Sequence, residues 1–465
     1  MPSFSDFTKK LPNPSLKLPA PSLKLGLGRR SGPSVVGLDI QPGFVGAVQA
    51  RVNGSIVAER SAVLPLPADA VREGEVVDEA DLSRVLRELF ANERLGKRVR
   101  VGVANQRTVM RTLELPPMTD RKELAAAVQF QAQDQVPMPL SNAVLDFHPL
   151  GIVDTPAGPR QHVVLVAAQR DMIEHLLAAV RGAGLQPVGV DLSAFALIRS
   201  LYQPELEPEA EHVSRVVYLN VDGLTNMAIA EGLVCRFTRV VGGGLEGMAG
   251  ELAERRGIPL TDARAMLAAV DLTRPLDVEQ IAAPAEQVAP QDVVPEWLTS
   301  DEALPEEAAP EGSEPYEAPA SAEEAEAPLS FDAHDAIEGA MSFSEMSSLG
   351  PAPAPELPLP QPEADRAQVD ADARSVLENG VREISGEVRN SLDFHRSQEG
   401  GGEVSHVMLS GSALDLPGFA EALEAHLGLE VRSASVGTSN DSSEDAVSMH
   451  RLAIAAGLAT TEVHP

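Results

Sequence analysis

The alternation of apolar and polar positions first becomes regular at Val35. Two runs rich in β-branched and small residues, Val35–Ile40 and Phe44–Val52, flank Gln41-Pro42-Gly43. Asn53-Gly54, two residues that accept positive φ, make the next turn, and a third run begins at Ser55 and extends over Ile56–Leu66. The pattern predicts strand, tight loop, strand, hairpin, strand, with Asp39 at the end of the first strand and directed at the loop. An ordinary hairpin with a turn-capping Asp fits the same residues. Leu82, Val85, Leu86 and Leu89 then repeat at helical spacing over Asp81–Asn92. Arg98–Val103 and Val109–Leu115 read as strands.

Asp120, answered by Glu123 in a capping-box arrangement, opens a helix that Pro137 and Pro139 stop. Strands Ala143–Leu150 and Gln161–Ala168, a hairpin through Asp154–Gly158, helix Asp171–Ala183 and strand Gln186–Asp191 complete a unit of about 75 residues. The opening pattern then recurs. Arg215–Leu219, Thr225–Ala230 and Leu233–Val241 are strands around Val221-Asp222-Gly223 and Glu231-Gly232. Gly242–Gly244 opens a helix at Leu245–Arg255, where backbone can approach a ligand, and Thr261–Val270 is another helix. From Arg374, Leu377, Val381, Ile384, Val388 and Leu392 mark one face of a long helix. Strand Val404–Leu409 ends at Ser410-Gly411-Ser412, followed by helix Pro417–Leu427, a strand from Val431 and helix Val447–Leu458.

Charge changes this picture in one segment. The 465-residue chain has a net charge of −32, yet Pro275–Asp365 contains no Lys or Arg and holds 22 Asp plus Glu. Residues 275–373 therefore read as an acidic, Pro- and Ala-rich disordered insert. Within it, Trp297 and the stretch Ala333–Leu349 are either docking motifs or parts of a plain linker. Residues 1–34 carry Lys9, Lys10, Lys17, Lys24, Arg29 and Arg30 on a Pro-rich background. They read as a disordered tail, either a solvated leader or a weak peripheral contact with anionic lipid. No folded region has the basic patch that nucleic acid requires, so no nucleic-acid partner is expected. Neither a membrane-length apolar run nor a signal peptide is present, which places the protein in the cytosol. The single cysteine, Cys235, excludes an internal disulfide and reads as a buried structural thiol. The histidines lack metal-ligand spacing, and neither a Walker loop nor a G-x-S-x-G elbow occurs.

Eight stretches in order carry a family resemblance. They are GLDI (Gly37–Ile40), Glu75-Val76-Val77-Asp78, LPPM (Leu115–Met118) with Glu123-Leu124 and Pro137-Met138-Pro139, and VDLSAFAL (Val190–Leu197). FTRVVGGG (Phe237–Gly244), NSLDFHRSQ (Asn390–Gln398), HVMLSGSALDLPGF (His406–Phe419) and AAGLA (Ala455–Ala459) follow. Over residues 35–273 and 374–460 the chain resembles the PilM family of type IV pilus assembly proteins, actin-like relatives of the division protein FtsA. The resemblance implies an α/β actin-like fold, duplicated and ribonuclease H-like, with nucleotide between two related sheets. It divides the chain into a first subdomain (35–114 plus 192–212), a small inserted FtsA-type module (115–191) and a second domain (213–273 plus 374–465). It also implies a scaffold on the cytoplasmic face of the inner membrane. That scaffold would hold the N-terminal cytoplasmic peptide of a PilN-like bitopic protein in a groove between the first subdomain and the module. Other pilus components and the motor ATPases would be indirect partners.

For ATP and Mg²⁺ the resemblance implies a site at Asp39, Gln41 and Gly43 in the first loop and Asn220, Asp222, Gly223 and Thr225 in the second. Gly242 and Gly243, then Gly411 and Ser412 at the adenosine turn, complete it. Asp39 would reach the metal through water. The chain departs from its relatives here. Pro42 removes a backbone donor, Phe44 replaces a hydroxyl and Gly46 stands where a lysine is expected. The acid of the second loop becomes Asn220 or Leu219, depending on where a gap falls. Asn lacks the charge to pair with Mg²⁺ as a carboxylate does. The expectation is a pseudo-enzyme with no catalytic residues and weak nucleotide binding at most. An active ATPase of the actin/hexokinase superfamily is one alternative. An FtsA-like division protein is the other, and the sequence Thr460–Pro465 offers no amphipathic helix for it.

Overall fold

The computed structural model describes residues 34–53, 55–156, 158–203, 214–274, 363–398, 401–438 and 449–460. The basic leader and nearly all of the acidic insert, including Trp297 and Ala333–Leu349, lie outside the described residues.

In chain order the strands are β1 (Val36–Gln41), β2 (Phe44–Asn53), β3 (Ser55–Pro65), β4 (Val71–Arg72), β5 (Glu75–Val76), β6 (Arg98–Val103), β7 (Val109–Leu115) and β8 (Ala143–Thr155). They continue with β9 (Gly158–Gln169), β10 (Gln186–Leu192), β11 (Arg215–Val221), β12 (Thr225–Glu231), β13 (Val234–Val241), β14 (Val404–Ser410), β15 (Val431–Ser433) and β16 (Gly437–Thr438). The helices are α1 (Glu79–Asn92), α2 (Arg121–Gln135), α3 (Arg170–Gly182), α4 (Ser193–Leu201), α5 (Leu245–Arg256), α6 (Leu260–Ala268), α7 (Glu363–Ser397), α8 (Phe419–Leu427) and α9 (Ala453–Leu458).

Two sheets share one plan. The first runs β10-β6-β1-β2-β3-β16 and the second β13-β12-β11-β14-β15. In each, a three-strand antiparallel meander continues on the far side of its first strand with two parallel strands. The recurrence read at Val35 and Arg215 is therefore a repeated topology. β16 breaks the symmetry, because it comes from the second half yet pairs in parallel with β3.

Burial assigns the faces. Val217, Leu219 and Val221 of β11 join the core formed with α5, α6, α7 and α8. Val216 and Tyr218 join the other core, which holds the first sheet, α4 and α9. Successive strand residues point to opposite faces, so Asn220 and Asp222 continue the face that meets the first half. Gly37 shows which face of β1 is equivalent. A Cβ there would overlap the Ala455 carbonyl oxygen of α9, and Asp39 and Gln41 follow on that same face. The small residues of AAGLA serve this approach from the other side, since a Cβ at Gly457 would overlap the Ala196 carbonyl oxygen of α4. Arg100 closes the end of α9 by donating to the carbonyls of Leu458 (2.8 Å) and Thr460 (2.9 Å), as a cation does favourably at a helix C-terminus.

A three-stranded sheet, β7-β9-β8, has a core of its own, and β7 brings Val109–Glu114 to it from before Leu115. Val163, Leu165 and Ala167 of β9 pack with Leu124, Val128 and Ala132 of α2. The alternate residues Val164, Val166 and Ala168 join the core of the first sheet. Asp120 caps α2 by accepting from the Lys122 N–H at 2.7 Å, and Asp78 caps α1 from the Ala80 and Asp81 N–H groups, both at 2.9 Å. The long helix begins at Glu363, eleven residues before the position expected from its apolar face. Its first turns lack that apolar stripe, so periodicity could not find them. Leu377, Val381, Ile384, Val388 and Leu392 are buried as their spacing predicted. Cys235 is buried, donates to the Phe237 carbonyl at 3.3 Å, and burial pushes its thiol up to about 12.

Candidate functional site

The two equivalent hairpins meet at the boundary between the halves. In the first, Gln41 and Phe44 are the last pair and Pro42-Gly43 the turn; in the second, Val221 and Thr225 are the last pair around Asp222-Gly223-Leu224. The faces decide the ambiguity in the second loop. Leu219 is committed to the outer core, so Asn220 holds the inward position that ends the strand.

Asp39 and Gln41 are buried, and the Gln41 amide donates to both carboxylate oxygens of Asp39, at 3.2 and 3.3 Å. Burial pushes the Asp39 carboxyl up to about 7. The Asp222 carboxylate across the boundary contributes to this rise, and the Gln41 bond opposes it. Asp222 is buried too, with more partners. It accepts from the Asn220 amide at 2.8 Å, from the Ser412 N–H at 2.6 Å and from the Ser412 hydroxyl. Burial still raises its pKa against these bonds and the field of Arg451. Ser410 completes the cluster by donating to the Asn220 oxygen at 2.9 Å.

A phosphate site needs free backbone donors. Here the Asp222 N–H donates to the Leu224 carbonyl (3.0 Å), the Leu245 N–H at the start of α5 to the Asp222 carbonyl (2.7 Å), and the Gly411 N–H to the His450 carbonyl (3.0 Å). The Ser412 N–H is taken by Asp222, and Thr225 spends its hydroxyl on the Gly243 carbonyl at 2.6 Å. Space is taken as well. A Cβ at Gly223 would overlap the Pro42 carbonyl oxygen, so the two turns touch backbone to backbone. The Glu246 carboxylate, paired with Arg264, lies against Gly43. As they stand, these residues do not fit a Mg²⁺–phosphate group between the loops. Among the described residues, no cluster of three or more His, Cys, Asp or Glu could hold a metal.

The sequence-derived site residues divide accordingly. Asp39, Gln41, Asn220, Asp222, Gly223, Gly411 and Ser412 come together, with Gly43 at their edge. Gly43, Gly223 and Ser412 line a cavity of about 340 Å³ with Phe44, Arg264 and Arg451. Gly242 and Gly243 line a different cavity of about 600 Å³ with Gln106, Arg239, Glu383 and Glu387. Sequence reasoning missed the Pro42 carbonyl, Ser410, the Glu246–Arg264 pair and the Asp415–Arg451 pair (2.6 Å). Only the unusual Pro42 signalled any of them.

Comparison with known proteins agrees with this architecture. A chain of a PilM–PilN type IV pilus biogenesis complex is 20% identical, with a TM-score of 0.61, over 93% of this chain and 99% of that one. The ethanolamine utilization protein EutJ from Carboxydothermus hydrogenoformans is similar at 15% identity and a TM-score of 0.41, over 92% and 89% of the two chains. MreB 5 of Spiroplasma citri, solved with AMPPNP, is similar at 9% identity and 0.39, over 91% and 94%. The repeated sheet topology, the glycine contacts beneath GLDI and AAGLA, and a match over residues 37–280, more than half of the chain, lead to one assignment: the chain belongs to the family described as type IV pilus assembly protein PilM.

Proposed function

We propose that this protein is a scaffold of the type IV pilus inner-membrane assembly complex. In this reading it works at the cytoplasmic face and docks the N-terminal tail of a PilN-like membrane protein. Membership of the PilM family carries the reading, and the likeness to a chain of a PilM–PilN type IV pilus biogenesis complex supports the choice of partner. None of the described helices is long and apolar enough to cross a membrane. The module offers surface for the partner's tail. Five large apolar side chains are exposed among the described residues, and three of them belong to it: Phe130 (72%), Ile152 (61%) and Val153 (46%). Isolated apolar side chains on a surface are ordinary, but a short peptide anchors through such residues.

The test is a fluorescence titration with a labelled peptide carrying the N-terminal cytoplasmic sequence of the PilN-like protein. Saturable binding is expected, weakened about tenfold or more by Phe130→Asp or Ile152→Asp, which corresponds to about 1.4 kcal/mol. Phe394→Asp, on α7, serves as the control and should leave affinity unchanged. No binding by the unaltered protein, or equal loss in the control, contradicts the reading.

A further inference from the structure

We propose that the two hairpin loops form a latch between the halves of the molecule, in which the protein's own groups fill the place where a nucleotide's phosphates would lie. The inference concerns the cleft and does not depend on which partner the module binds.

Three independent features converge on it. The first is contact: the Gly223 Cα faces the Pro42 carbonyl so closely that no side chain fits between the turns. The second is saturation. The N–H groups of Asp222, Leu245, Gly411 and Ser412 come from both loop and helix starts in the second half, and each already has an acceptor inside the protein. A phosphate arriving there would have to break these bonds before it could form its own, and the exchange yields little net gain. The third is the composition of the loops. Pro42, in the first turn, contributes a carbonyl and no N–H. The groove beside the turns is bordered by the Glu246–Arg264 and Asp415–Arg451 ion pairs, so both arginines already serve a carboxylate.

A latch of this kind makes closure of the halves a property of the polypeptide. The C-terminal segment reinforces it, because β16 pairs with β3 and α9 packs on β1. The body then presents its surfaces in one arrangement at any nucleotide concentration.

The experiment uses the full chain. Mg-ATP and Mg-ADP are titrated calorimetrically to millimolar concentration, and hydrogen exchange is followed in the peptides spanning Val221–Leu224 and Gly411–Ser412 for the unaltered protein and for Gly223→Ala. The expected result is no saturable heat, no shift in Tm with either nucleotide, and exchange at least about tenfold faster in both peptides of the variant. If Gly223→Ala does not fold, Ser412→Ala, which removes only the hydroxyl bond to Asp222, is measured in the same way and should show a smaller acceleration. Saturable nucleotide binding by the unaltered protein overturns the proposal. Unchanged exchange in the folded variant overturns it too, since the contact would then hold nothing.

Discussion

In the first half of the molecule a carboxylate, Asp39, precedes a carboxamide, Gln41. In the second half the order is reversed, with Asn220 before Asp222, and in each half the amide donates to the acid two residues away, at 3.2 and 2.8 Å. The strands that present them have the same place in the same topology. What differs is the distance of the acid from the turn. Asp39 lies within the strand, where burial and the facing Asp222 leave it one amide partner and a carboxyl that holds its proton up to about pH 7. Asp222 sits in the turn itself, where the Ser412 N–H and hydroxyl can reach it. Moving an acid by two residues thus gives it the bonds of a cross-brace, although burial raises the pKa of Asp222 as well. The same polar side chains, exchanged between positions, join the hairpins instead of leaving a gap for a ligand.

Removing the brace should have the largest effect. Asp222→Ala leaves the half-buried Ser412 N–H and hydroxyl and the buried Asn220 amide without their acceptor, at a cost of about 3–5 kcal/mol in urea denaturation. A loss under about 1 kcal/mol would show that Asp222 braces nothing. Asp39 should behave in the opposite sense. Its carboxyl is protonated in the folded protein up to about pH 7 but ionises near 3.8 in the unfolded chain. Between those limits the folded state holds a proton that the unfolded state releases, so stability falls as pH rises from about 4 to 7. That loss is bounded by about 4 kcal/mol. Asp39→Asn should flatten this part of the Tm-against-pH curve and raise Tm at pH 8; an unchanged curve would show that Asp39 does not titrate there.

Asn220→Asp sharpens the comparison by placing acids at both positions of the second hairpin. It sets a second carboxylate beside Asp222, and a loss of about 2–3 kcal/mol at pH 7 is expected. The loss should shrink in acid, where one of the pair is protonated, and the restored acid should bring no Mg-ATP binding to the closed loops. The smallest effect belongs to Arg264→Ala. Its ion pair with Glu246 is partly exposed, with side chains 27% and 19% accessible, so a change of about 1 kcal/mol or less is expected in the same denaturation assay. A larger loss would make this ion pair a main part of the latch.

Much of this was legible in the sequence, for reasons the structure makes plain. The strand-loop-strand pattern at Val35 recurred at Arg215 because both hairpins alternate between two buried faces, which fixes the period at two. The apolar stripe from Leu377 to Leu392 gave the buried part of α7, while the polar first turns from Glu363 gave no periodic signal. Turn signals in Gly, Pro and Asp located Asp39 and Asp222 at the loops, and the family resemblance joined them with Asn220 into one site. The resemblance placed Ser412 in the same site, but the bonds of Ser410 to Asn220 and of Ser412 to Asp222 could not be read locally, since each spans 190 residues. The choice between Leu219 and Asn220 needed the core assignment of the neighbouring strand residues. The contact of Gly223 with Pro42 required the two halves to be seen together, because nothing local distinguishes a glycine that cradles a ligand from one that touches a carbonyl.

The most direct test is site-resolved hydrogen exchange of four amides, Asp222, Leu245, Gly411 and Ser412, with and without Mg-ATP. If the protein's own acceptors hold these groups, all four are strongly protected in the absence of nucleotide and millimolar Mg-ATP leaves their rates unchanged. Rapid exchange without nucleotide, slowed at all four by Mg-ATP, would show an open phosphate site and contradict the account.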